Sequence, residues 1–149
     1  MLQRFELFTS GISSMYRDVQ KIERDEMEKQ GLRGAFAQYL LAISRFPEGI
    51  TAAALCEVCD KDKAAVSRVL AEMEAKGLVE RETENQYRAK LRLTPDGEEA
   101  AEFVRKRASA AVELAGKDLS EDERKAFYDA LAVLSASLQK ISRTGLPEV

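Results

Sequence analysis

The stretch DKDKAAVSRVLAEMEAKGLVER, Asp60–Arg81, decides the fold. It opens on alternating charges, turns apolar at helical spacing, stops at Gly77 and runs on into the strand-like LVER. On a helical wheel, Val66, Val69, Leu70 and Met73 share one arc, while Ala64, Ser67, Arg68 and Ala71 share the opposite one. A solvated helix face ordinarily carries Lys and Glu. This second face is stripped near its start to small side chains and two donors. Small side chains let a helix backbone come close to something, and Ser67 and Arg68 can donate hydrogen bonds to it.

The flanks say what kind of helix this is. Upstream, TAAALCEVC reads as a short helix with Thr51 as its N-cap, running to about Cys59. A brief turn at Asp60 and Lys61 follows, and Asp60 or Asp62 is placed to cap the next helix. Gly77 stands where a left-handed residue ends that helix. Short helix, tight turn, second helix is the helix-turn-helix layout, with Asp60 in place of the usual turn glycine. Short residues and a few donors on the outer face suit a helix seated in a DNA major groove.

After Gly77, LVERE and AKLRLT read as two short strands joined by a turn at TENQ. Leu91 and Leu93 face one way, Lys90 and Arg92 the other. A two-stranded ribbon behind such a helix is a wing. Its cations Arg88, Lys90 and Arg92 either meet phosphate or keep a solvated hairpin soluble, and the pattern alone leaves both readings open.

Long helices bracket this unit. Phe5, Phe8, Ile12, Met15, Val19 and Ile22 recur at steps of three and four, the spacing of a coiled-coil seam. That stripe packs either on the chain's own core or on another helix pair. GLRGAFAQYLLAISRF forms a second helix, with Leu32, Phe36, Tyr39, Leu40, Ile43 and Phe46 on one side, before Pro47 and Gly49 break it. Thr94 and Pro95 open a further helix. Ser120 and Glu123 form a capping box at the start of the last one. There Phe127, Leu131, Leu134, Leu138 and Ile141 repeat the seam.

The totals bound the chemistry. The chain has 149 residues, 45% hydrophobic and 33% charged, which fits one ordinary domain with a real core. It contains no His, so the commonest general base and transition-metal ligand is missing. No convergent cluster of other catalytic groups replaces it, and neither an enzyme nor a resident metal or cofactor is expected. The net charge of −3 argues against a globally basic nucleic-acid binder. Residues 60–94 are nonetheless the one segment with more cations than anions, 8 Lys/Arg against 7 Asp/Glu. No apolar run approaches the roughly 20 residues a membrane span needs. The first residues lack a charged leader followed by an apolar block, so a cytoplasmic protein without membrane contact is expected.

The stretch from GITAAALCEVC through DKAAVSR and KGLVERE to YRAKLRLTPDG resembles the multiple-antibiotic-resistance regulator (MarR) family. The marks are Leu55 in the first motif helix, DKAAVSR opening the second, KGLVER leading into the wing and RLTPDG leaving it. The resemblance covers about half of the chain. It implies a mainly α fold: a winged helix-turn-helix with a two-stranded β-wing and N- and C-terminal dimerisation helices. Residues 1–30 would form the N-terminal dimerisation helix, 31–94 the DNA-binding region and 95–149 the C-terminal dimerisation helices, interlocked as one domain.

It also implies a homodimer that binds a palindromic operator in double-stranded DNA as a transcriptional regulator, a repressor relieved by a small molecule or an oxidant. The positions that match DNA-reading ones are Lys63, Ala64, Ala65, Ser67 and Arg68, with Arg88 and Lys90 from the wing. Ala64 and Ala65 stand where the family often has Ser or Thr. They forgo hydrogen bonds but can touch a thymine methyl. Arg81 and Arg92 are expected to brace the wing. Small aromatic or lipophilic effectors are frequent in the family, and Tyr16, Phe36 and Tyr39 are the residues expected to line such a cavity, although core packing is the favoured reading of all three. Cys56 and Cys59 form a C-x-x-C that reads first as buried apolar packing and second as a thiol sensor. The rival to the whole reading is a winged-helix protein-interaction module without DNA binding, which the net charge and the two alanines favour.

Overall fold

The computed structural model describes residues 1–82 and 88–148. The elements in order are α1 (Leu2–Lys29), α2 (Phe36–Ser44), β1 (Ile50–Thr51), α3 (Ala52–Cys59), α4 (Lys63–Ala75), β2 (Val79–Arg81), β3 (Lys90–Leu93), α5 (Pro95–Ala115) and α6 (Glu121–Thr144). They divide into two compact units, Met1–Ala111 and Val112–Val149.

The core of the first unit is assembled from one face of each helix. Phe36, Leu40 and Ile43 of α2, Leu55 of α3, Val66, Leu70 and Met73 of α4, and Val104 of α5 are all buried, as is Met27 near the end of α1. The inner arc read from the sequence of α4 is therefore the buried one. The second helix is shorter than expected. Residues 31–35 form turns ahead of α2, although Leu32 still packs on the core. Phe46 lies beyond the end of α2 and is exposed, because the chain has already turned towards Pro47.

The wing is part of a three-stranded antiparallel sheet in the order β1-β3-β2, not a two-stranded ribbon. Ile50 pairs with Leu91 and Thr51 with Lys90 on one side of β3, and Val79, Glu80 and Arg81 pair with Leu93, Arg92 and Leu91 on the other. The extra strand ties the start of the helix-turn-helix to the wing. Leu91 is fully buried and Lys90 exposed, while Arg92 and Leu93 are both partly buried, so the alternation is sharp only in the first half of β3. The expected turn at residues 83–86 lies outside the described residues.

The second unit is built on α6. Ser120 Oγ accepts from the Glu123 N–H at 3.2 Å and the Glu123 carboxylate accepts from the Ser120 N–H at 2.7 Å, which is the capping box the sequence announces. Arg124 closes the preceding turn by donating to Glu113 at 2.6 Å and to the Gly116 carbonyl at 2.8 Å.

The seams at the two chain ends do not find a core of their own. On α1, Phe5, Phe8, Ile12 and Met15 are all exposed, Phe5 by 63%. On α6, Phe127, Leu134, Leu138 and Ile141 are exposed as well, and no residue of that helix is buried. Among the described residues no helix is long and apolar enough to cross a membrane.

Candidate nucleic-acid interface

The turn between α3 and α4 is fixed by backbone chemistry. Asp60 takes the left-handed conformation, φ 50° and ψ 51°. Its N–H reaches the Glu57 carbonyl at 3.3 Å and the Lys61 N–H reaches the Cys56 carbonyl at 3.0 Å. This paired pattern satisfies the last carbonyls of α3. Asp62, not Asp60, is the N-cap of α4, with its carboxylate accepting from the Ala65 N–H at 2.8 Å. The same paired closure ends α4: Gly77, at φ 70°, donates to Glu74 at 3.0 Å and Leu78 to Met73 at 2.9 Å.

Salt bridges fasten the orientation of α4. Arg33 donates to both carboxylate oxygens of Glu72, at 2.6 and 2.8 Å. Hydrogen bonding to Glu72 raises the Arg33 pKa further. Arg81 holds Glu74 at 2.5 Å. The cations at the far end of α4 are thereby spent on positioning, and its opening turns stay bare.

Those opening turns present Lys63, Ala64, Ser67, Arg68 and Ala71 to solvent. Ala65 departs from this group. It is only half-exposed and lines a cleft on the other flank of the helix with Val69, Tyr39 and Gln38. A shift of one residue turns a helix side chain by about 100°, enough to carry Ala65 out of the exposed arc that Ala64 occupies.

Beside the exposed arc lies a cleft of about 610 Å³ lined by Thr51, Ala52, Ala53, Lys63, Arg81, Arg88 and Ala89. It joins the starts of α3 and α4 to the wing. Its described lining carries Lys63, Arg88 and the Glu74-paired Arg81, and no carboxylate. Two of the three, Lys63 and Arg88, are legible in the sequence. Arg81, read from the sequence as a brace for the wing, pairs with Glu74 at 2.5 Å, and its place on the cleft depends on the fold. Lys90 is exposed, but its side chain lies over Gly49, where a β-carbon would fall 2.8 Å from Lys90 Cβ. Arg92 donates to Glu82 at 2.8 Å and to the Glu48 carbonyl at 3.1 Å, so it braces the wing.

The remaining candidates scatter. Phe36 is wholly buried and Tyr39 nearly so, while Tyr16 is 60% exposed on α1. Tyr39 alone of the three lines the cleft of about 310 Å³ that also holds Gln20, Glu23, Arg24 and Lys61. Burial pushes the Tyr39 phenol up, and it also pushes the Glu23 carboxyl up against the opposing pull of Arg45 and Arg24. Cys56 and Cys59 are free thiols, the first half-buried and the second buried. Burial pushes the Cys59 thiol up to about 11. No group of three or more His, Cys, Asp or Glu able to hold a metal ion occurs among the described residues.

Comparison with known proteins agrees with this geometry. The sequence profile of the MarR family matches residues 26–88. No curated protein matches the chain. Among solved structures, the crystal structure of MarR is 29% identical, with 91% of this chain and 93% of that one covered and a TM-score of 0.78. A MarR transcriptional regulator from Methanosarcina mazei Go1 is 22% identical over 91% of this chain and 99% of its own, with a TM-score of 0.78. A MarR family transcriptional regulator from Listeria monocytogenes, solved in complex with 26mer DNA, is 20% identical over 95% and 97%, with a TM-score of 0.72. The match of residues 26–88 to the MarR family profile and the shared architecture over nine-tenths of its length give the chain the winged helix-turn-helix fold of the solved MarR family transcriptional regulators.

Proposed function

We propose that this protein is a dimeric, sequence-specific DNA-binding transcriptional regulator that represses its targets and performs no chemistry of its own. The observation that carries the reading is the bare outer arc of α4, where Ala64, Ser67, Arg68 and Ala71 are exposed beside a cleft lined by Lys63, Arg81 and Arg88. Phosphates would lie on the cations, and the α4 arc would reach base edges in the major groove. The DNA-bound Listeria relative of the same fold supports the assignment.

Dimerisation is supported by the exposed apolar stripes of α1 and α6, which a second copy would cover. In that arrangement residues 1–30 and 95–149 clasp the partner, and residues 31–94 present one reading helix from each protomer. The two would meet half-sites about 34 Å apart on a palindrome. A small aromatic or lipophilic effector, or an oxidant, would relieve repression by changing that spacing. The cleft beside Tyr39 touches α4 at Ala65 and Val69, and so supports an effector site there.

The deciding experiment is fluorescence anisotropy with the full chain and duplexes from the region upstream of its own gene. Salt-dependent, saturable binding to one duplex over scrambled controls is expected. Absence of binding even at low salt would leave the protein-interaction reading in its place.

A further inference from the structure

We propose that Cys56 and Cys59, one turn apart on α3, form a two-thiolate site for a soft, two-coordinate divalent metal ion. The residues i and i+3 of a helix share a face, with their β-carbons about 5–6 Å apart. Both thiols are free, Cys59 is 4% exposed, and Cys56 is half-buried against the core.

Geometry selects the bond type. A disulfide needs β-carbons roughly 3.5–4.5 Å apart, closer than a helical i, i+3 pair holds them, so closing one would strain the last turn of α3. An ion held linearly between two thiolates, with bonds of about 2.3 Å as in zinc thiolates, spans about 4.6 Å between sulfurs. That span fits an intact helix. A tetrahedral ion needs four ligands, and no third acidic, Cys or His ligand joins this pair among the described residues. Thiolates select soft ions over hard ones.

Charge balance then selects the valence. Two S–H bonds break, two metal–sulfur bonds form and two protons leave to solvent, with no change of oxidation state. A divalent ion yields a neutral adduct, which a buried site accepts without an uncompensated charge. A monovalent ion would leave one negative charge beside Cys59. The surrounding backbone loses nothing. The Cys56 carbonyl already accepts from Lys61 N–H at 3.0 Å, and the Cys59 carbonyl accepts from Gln38 Nε2 at 2.9 Å.

The test uses the full chain and mercuric ion as the probe, with excess glutathione present to strip single-thiol adducts. Native mass spectrometry should show one ion per chain with two protons lost, and both thiols should become unreactive to a thiol reagent. Cys56→Ser should weaken binding by at least about a hundredfold, the loss of a tethered second ligand. Circular dichroism of that variant, and of Cys56→Ala, checks that the helices persist. Two ions per chain, wild-type affinity in the Cys56 variants, or no ion retained against glutathione would each overturn the site. None of these measurements involves DNA, so the outcome stands apart from the regulatory reading.

Discussion

Gly97 and Leu78 approach so closely that a β-carbon on Gly97 would lie 2.0 Å from the Leu78 carbonyl oxygen. The same oxygen accepts from the Thr94 N–H at 3.1 Å, and the Thr94 hydroxyl caps α5 by accepting from the Gly97 N–H while donating to the Gly77 carbonyl at 2.5 Å. The end of α4, the start of β2 and the first turn of α5 are thus locked at one backbone crossing. That crossing is the physical content of the KGLVER and RLTPDG segments. Gly97→Ala must push backbone against backbone and is expected to cost about 1–3 kcal/mol in stability, the range for overpacking. Gly11 in α1 has nothing within 4 Å of its would-be β-carbon. There the same substitution should stabilise by roughly 0.5–1 kcal/mol. Opposite shifts of the two denaturation midpoints check the claim.

Asp60 should give a gain where most residues would give a loss. It is the one described residue other than glycine with positive φ. The left-handed region costs an L-residue roughly 1–2 kcal/mol, and Asp recovers part of that through local hydrogen bonding. Asp60→Gly is therefore expected to be neutral or to stabilise by up to about 1 kcal/mol, whereas Asp60→Val should destabilise. Asp62→Ala removes the α4 cap and should cost on the order of 1 kcal/mol. Urea midpoints of the three variants rank them, and a loss for Asp60→Gly as large as that for Asp60→Val would refute the strain argument.

Local signals announced the reading helix well because each of its boundaries has a local cause. As caps and helix stops, Asp62, Gly77 and Ser120 act within four residues of themselves, and so does the bond from the Gly97 N–H to Thr94, so these roles show in short windows. The inner arc of α4 showed for the same reason. What stayed hidden depends on distant partners. β1 is two residues long, too short for any period, and exists only because Ile50 and Thr51 pair with Leu91 and Lys90 forty residues away. Arg81 joins the basic cleft only because the fold carries the end of β2 to the cleft that Lys63 and Arg88 also line. Ala65 matched a family reading position, yet the structure turns it towards Tyr39 and Val69. The effector trio was drawn from residue type alone, and aromatic side chains fill cores far more often than they line cavities; Phe36 does the former.

Glu26 gives the fold an acid-sensitive tie. It is the buried charged residue of the described core, and it bridges helices by accepting from Lys29 at 2.6 Å and from Arg107 of α5 at 3.0 Å. Hydrogen bonds from Lys29 first and Arg107 second hold its carboxyl below the ordinary 4.5. A depressed folded value means that the stabilisation is complete above about pH 4.5 and drains away as pH falls through the folded value. Thermal melts of Glu26→Gln should lie below wild type at pH 7 and converge on it in acid. A gap that stays constant from neutral to acid pH would show that the carboxylate charge contributes nothing.

The DNA reading predicts that cations in one small region separate into two classes. Arg68 is exposed on the outer arc of α4, and Lys63 faces the basic cleft. Arg92 is engaged by Glu82 and the Glu48 carbonyl. Arg68→Ala should weaken operator binding by about 1–3 kcal/mol and relax preference at one base position, if it contacts a base edge. Lys63→Ala should weaken binding evenly across sequences and lower the salt slope by about 1, the mark of one lost phosphate contact. Arg92→Met should leave the salt slope unchanged and instead lower thermal stability by loosening the wing. Ala64→Glu is the sharpest case. Its site is exposed on α4, so the helix should fold, but a carboxylate now faces phosphate and base edges at close range. Binding should fall below detection while the melting temperature holds. If Ala64→Glu binds like wild type, the bare face of α4 does not enter the groove, whatever family the fold belongs to.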